Sequence, residues 1–121
     1  GVLPVEKDEA LLGTGRVLRK QWGIRHLLIT LGGDGMALFG GRARPLHIPT
    51  RAREVFDVSG AGDTVIAAFT LALAAGARPA DAAAFANCAA GIVVGKVGTV
   101  PIHAAELREY LRSPHESCRV R

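Results

Sequence analysis

Two stretches, Asp63 to Ala75 and Pro79 to Val94, consist almost wholly of Ala and other apolar residues and read as consecutive helices. A helix that is apolar nearly all round has no face to give to water, so each should be covered on two sides. That requirement selects folds in which helices pack in layers on a sheet and on one another. Aromatic residues make up only 5% of the sequence, so the core should be filled by close approach of Ala-rich helices rather than by large rings. Gly76 is suited to cap the first helix and Pro79 to begin the second. The apolar run Val65 to Ala77 is shorter than the roughly 20 residues needed to span a bilayer. Gly76 also interrupts it, so no membrane partner is expected.

Ahead of these helices, Leu11, Gly15, Leu18 and Trp22 share one helical face, and Gly23 ends that helix. Gly13 and Gly15 each weaken it by about 1 kcal/mol relative to Ala. His26 to Leu31 is an apolar run suited to a buried parallel strand. Met36 to Phe39 and Pro45 to Ile48 read as strands joined across Gly40-Gly41, and Val55 to Val58 as a brief strand. Ala104 to Arg112 reads as a closing helix and Ser113 to Arg121 as a polar tail. With 121 residues, no repeat and no linker, residues 1–121 form one α/β domain or part of one. The first residue is Gly1 and the only methionine is Met36, so a processed chain or a piece of a longer protein is expected.

The formal charge of +4 comes from scattered basic residues, among them Arg16, Arg19, Lys20, Arg42, Arg44 and Arg51. They are not interleaved with an aromatic platform, so a solvated surface is the better reading than a nucleic-acid interface. Cys88 and Cys118 are too few for a disulfide scaffold, and Cys88 reads as a small core residue. His26, His47, His103 and His115 lack metal-ligand spacing.

Chemistry is concentrated in Asp57-Val58-Ser59-Gly60-Ala61-Gly62-Asp63-Thr64. Small residues leading into a helix let backbone N–H groups converge, and the helix dipole favours an anion there. Asp63 stands at the same point, where a carboxylate can take a proton from a hydroxyl while charge builds on a transferring phosphoryl group. The plainer alternative makes Gly-Ala-Gly a tight turn and Asp63 an N-cap. Asn87, polar in a run of alanines, would be costly if buried alone, so a ligand or a backbone group should meet it.

With its flanks this motif resembles the D-x-x-G-A-G-D signature of the ribokinase-like (PfkB) carbohydrate kinases. Ile29-Thr30-Leu31-Gly32-Gly33-Asp34-Gly35 is similar to that family's nucleotide-side turn, and Ala86 to Thr99 to its adenine-side helix and loop. The resemblance runs from about Trp22 to Leu111. It implies a ribokinase-like α/β fold, a sheet flanked by helices with upstream strands missing, and a cytoplasmic kinase using ATP and Mg²⁺. Asp63 would be the catalytic base, and the backbone of Gly60, Ala61 and Gly62 would steady phosphate charge. Thr30, Gly32, Gly35 and Asn87 would meet the nucleotide. A monovalent cation such as K⁺ would be held by Asp57, Ser59, Val93, Lys96 and Gly98, mostly through backbone oxygens.

Within the family, Glu54 to Val58 and Gly91 to Thr99 most resemble the kinases of D-glycero-β-D-manno-heptose 7-phosphate, which serve ADP-heptose and lipopolysaccharide synthesis. A kinase of ribose, fructose phosphate or a nucleoside is the alternative acceptor reading, and a non-catalytic nucleotide-binding fragment the alternative class. The resemblance places sugar-binding residues and an N-x-x-E magnesium motif upstream of Gly1. The chain alone should therefore bind nucleotide weakly, phosphorylate nothing, and associate as a homo-oligomer or aggregate through an unpaired strand edge and apolar helix faces.

Overall fold

A strand buried on both faces needs a layer on each side, and Met36, Ala37, Leu38 and Phe39 are all buried. In the computed structural model, which describes residues 3–4, 9–40, 44–51, 55 and 57–112, they form most of β3 (Met36–Gly40). With β1 (Leu3–Pro4), β2 (His26–Thr30) and β4 (Leu46–Ile48) it makes a four-stranded sheet of order β1-β4-β3-β2. Every neighbouring pair is antiparallel. The helices are α1 (Glu9–Gln21), α2 (Ala61–Ala74), α3 (Pro79–Val94) and α4 (Ala104–Arg112).

Alternation along β3 sends Met36 and Leu38 to one face, where they join Ile48, Val65, Ala68, Ala83, Ala86 and Ala89 in the main core. Phe39 belongs to the other face and lies under α1. Its ring atoms would come within 2.3–2.6 Å of a Cβ placed on Gly15. Gly15 therefore weakens α1 as a helix former and at the same time lets it close on the sheet. The ring is 2% exposed, a burial worth about 1.5–3 kcal/mol.

The covering requirement is met by α3, in which Ala82, Ala83, Ala84, Ala86, Cys88, Ala89, Val93 and Val94 are all buried between the sheet and its helical neighbours. It is not met by α2, where Val65 and Ala68 are buried but Ile66 and Leu71 stay 66% and 67% exposed. Cys88 is a buried core residue as expected. Cys118 lies outside the described residues.

Chain reversals follow the glycines. Gly23 (φ 62) and Gly76 (φ 89) each take the left-handed conformation just past a helix. In each case the glycine N–H and the next one turn back onto carbonyls of the last helical turn: Gly23 to Lys20 and Ile24 to Arg19, Gly76 to Leu73 and Ala77 to Ala72. The cap position itself is Ala75, one residue before the expected Gly76.

Several expectations are corrected. β2 pairs antiparallel with β3 and is a half-buried edge strand, not a buried parallel one. The short Gly32–Asp34 3₁₀ turn joins them, whereas a parallel connection needs a dozen or more residues. Val55, Asp57 and Val58 belong to no strand, and the Asp57 N–H donates to Val94 O at 3.3 Å instead of to a ladder. α2 begins at Ala61, ahead of Asp63. Trp22, placed on the packing face of α1, is 59% exposed. Gly40 ends β3, and Gly41 and residues 113–121 lie outside the described residues.

Gly15→Ala tests the α1–β3 contact. Helix propensity alone favours it by about 1 kcal/mol, but overpacking against a buried ring costs about 1–3 kcal/mol. Denaturant titration should show net destabilisation, and a stabilised variant would mean that the Phe39 ring is free to move aside.

Candidate functional site

The turn ahead of α2 is made by Gly60, the helix N-cap, in the left-handed conformation (φ 75) and without a side-chain cap bond. A Cβ there would sit 2.7 Å from Thr99 Cγ2, so the glycine also admits close approach of the loop that follows α3. Ala61 N–H donates to Val58 O at 3.2 Å, and Thr64 donates to Gly60 O through its N–H (3.0 Å) and its hydroxyl (3.2 Å). The amides of Gly62 and Asp63 find no acceptor among the described residues. They lie at the positive end of the helix dipole. A Cβ on Gly62 would meet nothing within 4 Å, so open space lies beside them.

Asp63 is the third residue of α2. Its side chain is exposed, with no hydrogen bond or ion pair among the described residues. The N-cap alternative for Asp63 is therefore overturned, because Gly60 holds that position. What remains is an unengaged carboxylate beside two unengaged amides, which can accept a proton next to a place that attracts an anion.

Asp57, six residues earlier, is engaged through both carboxylate oxygens. Its Oδ1 accepts the Ser59 N–H at 2.8 Å and its Oδ2 accepts the Gly98 N–H at 3.0 Å. The carboxylate thus clips the anion turn to the loop after α3. The Ser59 hydroxyl, the Ser59 amide and the Gly98 amide hold its pKa below the ordinary aspartate range. Gly98 needs its left-handed φ of 82 to aim that amide. The same loop is tied at its start by Lys96 N–H to Val93 O (3.0 Å), and Lys96 Nζ lies 2.5 Å from Glu106 Oε1. The five residues expected around a monovalent cation are therefore gathered in one place. A carboxylate and backbone carbonyls are the kinds of hard oxygen donor such an ion takes. A carboxylate has about four lone-pair sites, so Asp57 keeps acceptor capacity beyond its present bonds. Among the described residues there is no group of His, Cys, Asp and Glu suited to a metal ion.

The expected nucleotide-side residues form a second group. Gly32 (φ 59) and Gly35 (φ 91) shape the turn after β2, closed by Leu31 N–H to Gly35 O at 2.8 Å and held by His47 Nε2–H to Asp34 O at 2.6 Å. Thr30 and Gly32 are exposed and open to a ligand. Gly35 is not, since a Cβ there would strike Ile48 O at 2.1 Å. Backbone packing alone accounts for that glycine. Asn87 is 4% exposed, and its Nδ2–H donates to Pro49 O at 2.7 Å. The partner it required is thus a backbone carbonyl, and its amide ties α3 to the chain after β4. No described hydrogen bond joins the two groups directly, but α3 contributes to both, through Asn87 and through Val93 and Val94. Asn87 and Val94 are separated by about 10 Å of helix rise.

Sequence reasoning missed Thr99 and Glu106. Thr99 sat unmarked inside a matched motif. Glu106 accepts the His103 N–H at 3.0 Å across the start of α4. It makes half of a capping box, hidden because His103 stands where Ser or Thr would have flagged it.

With this fold and site in view, the chain belongs to the pfkB family carbohydrate kinases, whose sequence model matches residues 11–105. Among its relatives, a bifunctional protein HldE from Desulfatibacillum aliphaticivorans is 58% identical over 107 residues, 88% of this chain and 22% of that protein. A bifunctional protein HldE from Stutzerimonas stutzeri is 55% identical over 102 residues, 84% of this chain and 22% of that protein. The chain thus spans less than a quarter of the length of these curated relatives. Arabidopsis thaliana ribokinase complexed with ribose and ATP superposes with a TM-score of 0.76 at 28% identity, over 88% of this chain and 35% of that one. The fold is part of a ribokinase-like α/β fold. No described helix is long and apolar enough to cross a membrane.

The Asp57 clip has a definite pH dependence. A carboxyl whose native pKa is depressed contributes stability above its unfolded value, about 3.9, and loses it as pH falls through the native value. Wild type should therefore be more stable than Asp57→Asn near neutral pH, with the gap narrowing as pH falls below about 4. Denaturant titrations across that range check it, and a constant gap would show that the carboxylate charge is not what holds the two loops together.

Proposed function

We propose that this chain is the nucleotide-side part of an ATP-dependent kinase that phosphorylates a hydroxyl of a sugar or sugar phosphate. The observation that carries the reading is the Asp63 carboxylate, exposed and without a partner among the described residues, beside the amides of Gly62 and Asp63, which find no acceptor among them either. In the proposed reaction Asp63 takes the proton of the acceptor hydroxyl as its oxygen attacks the terminal phosphorus of ATP, and ADP leaves with the cleaved bridging oxygen. The amides at the start of α2 offset the charge on the transferring group, and Gly62 keeps room for its oxygens. Thr30 and Gly32 would meet the nucleotide, with Gly35 and Asn87 shaping that side from behind. Mg²⁺, bound with the nucleotide, supplies charge neutralisation. K⁺ would sit among Asp57 and the backbone oxygens of Ser59, Val93, Lys96 and Gly98, where it would raise the potential beside the turn.

The proposed acceptor is D-glycero-β-D-manno-heptose 7-phosphate, converted to the 1,7-bisphosphate. The support is the shared pattern Gly91 to Thr99 and the similarity to proteins named HldE. Steady-state assays of the full-length protein with heptose 7-phosphate, fructose 6-phosphate and ribose test it, and preference for either of the latter two would reassign the acceptor.

In that protein Asp63→Asn should lower kcat by about 10²–10⁴-fold, the range for a lost general base, with ATP affinity nearly unchanged. Gly62→Val should impair binding and turnover together. Wild-type turnover of Asp63→Asn would remove Asp63 from the chemistry.

A further inference from the structure

We infer that Glu106 is a positioning residue for this reaction, holding the loop after α3 against the anion turn through Lys96. The inference rests on the kinase reading above. Glu106 uses its two carboxylate oxygens on different elements. Oε2 accepts the His103 N–H at 3.0 Å and closes the first turn of α4, while Oε1 meets Lys96 Nζ at 2.5 Å. A helix cap needs only the first of these contacts. The second pins a loop that has no ladder or helix of its own. Both side chains of the pair are about one-third exposed, so the bridge is partly shielded rather than splayed into solvent.

From Lys96 the chain reaches the turn within three residues, and it does so twice. Gly98 N–H donates to Asp57 Oδ2 at 3.0 Å. Thr99 sets its methyl against Gly60, whose missing Cβ would otherwise lie 2.7 Å from it. Gly60 is the N-cap from which the amides of Gly62 and Asp63 are aimed. Gly98, itself one of the two contacts, is left-handed and conformationally permissive, so the loop can drift when its Lys96 anchor is cut. Glu106 therefore acts on the site through Lys96, Gly98 and Thr99, without touching substrate.

The test uses the full-length protein with Glu106→Gln, Glu106→Ala, Lys96→Met and the Glu106→Gln/Lys96→Met double variant. Gln keeps an acceptor for the His103 N–H but removes the charge facing Lys96. Glu106→Gln and Lys96→Met should each lower kcat/KM for ATP by about tenfold, a modest share of what a misplaced site can lose. Both should speed amide exchange in a peptide covering residues 95–99 while leaving the melting temperature nearly unchanged. The double variant should be no worse than either single one, since both cut the same link. Wild-type kcat/KM in Glu106→Gln and Lys96→Met, with a lowered melting temperature only in Glu106→Ala, would reduce Glu106 to a helix cap and overturn the proposal. Losses that multiply in the double variant would overturn it too. If the wild-type protein phosphorylates no sugar or sugar phosphate, the kinase reading fails instead, and the exchange rates still report whether Glu106 holds the loop.

Discussion

Both groups of site residues are tied to α3, and α3 holds its place because five of its nine buried residues are alanine. Small side chains let a helix approach a sheet on one side and another helix on the other without gaps. Ala83, Ala86 and Ala89 reach the core formed with Met36, Leu38 and Ile48. Asn87, in the same buried run, binds Pro49 O, and Val93 and Val94 accept amides from the loop and turn at its far end. A larger residue at fully buried Ala83, Ala86 or Ala89 would push α3 off the sheet and move both groups of site residues together.

Much of this was legible in the sequence because it depends on local rules. Pro79 and Val94 bound α3, and Ala104 and Arg112 bound α4, as expected from apolar patterning and Pro at the first helical turn. Where the reading failed, the deciding partner was distant. The apolar run His26 to Leu31 carries no mark of strand direction, which is set by the three-residue turn to β3. Gly15 read as a weak point in α1 because Phe39, its reason for being there, lies on another element. Asn87 announced that it needed a partner but not that the partner would be a proline carbonyl. Of the candidate site, the anion turn and its gathering with residues 93–98 could be anticipated, whereas the Lys96–Glu106 link could not.

The two aspartates of the turn show how position divides one side-chain chemistry into two tasks. Asp57 lies before the reversal at Gly60, where backbone amides from two segments converge on its oxygens. Asp63 lies after it, in the first turn of α2, exposed and with no hydrogen bond among the described residues. The first is spent on structure and the second left available, and only the six-residue offset separates them.

Because Asn87 and Val94 sit on one helix, the separation of the two site groups is set by helical rise rather than by loop length. A helix turns about 100° with each residue. Adding or deleting a single residue between them would therefore swing the far end around the axis as well as shift it along. The seven-residue step from Asn87 to Val94 acts as a ruler. It is the part of the chain in which an insertion should be least tolerated.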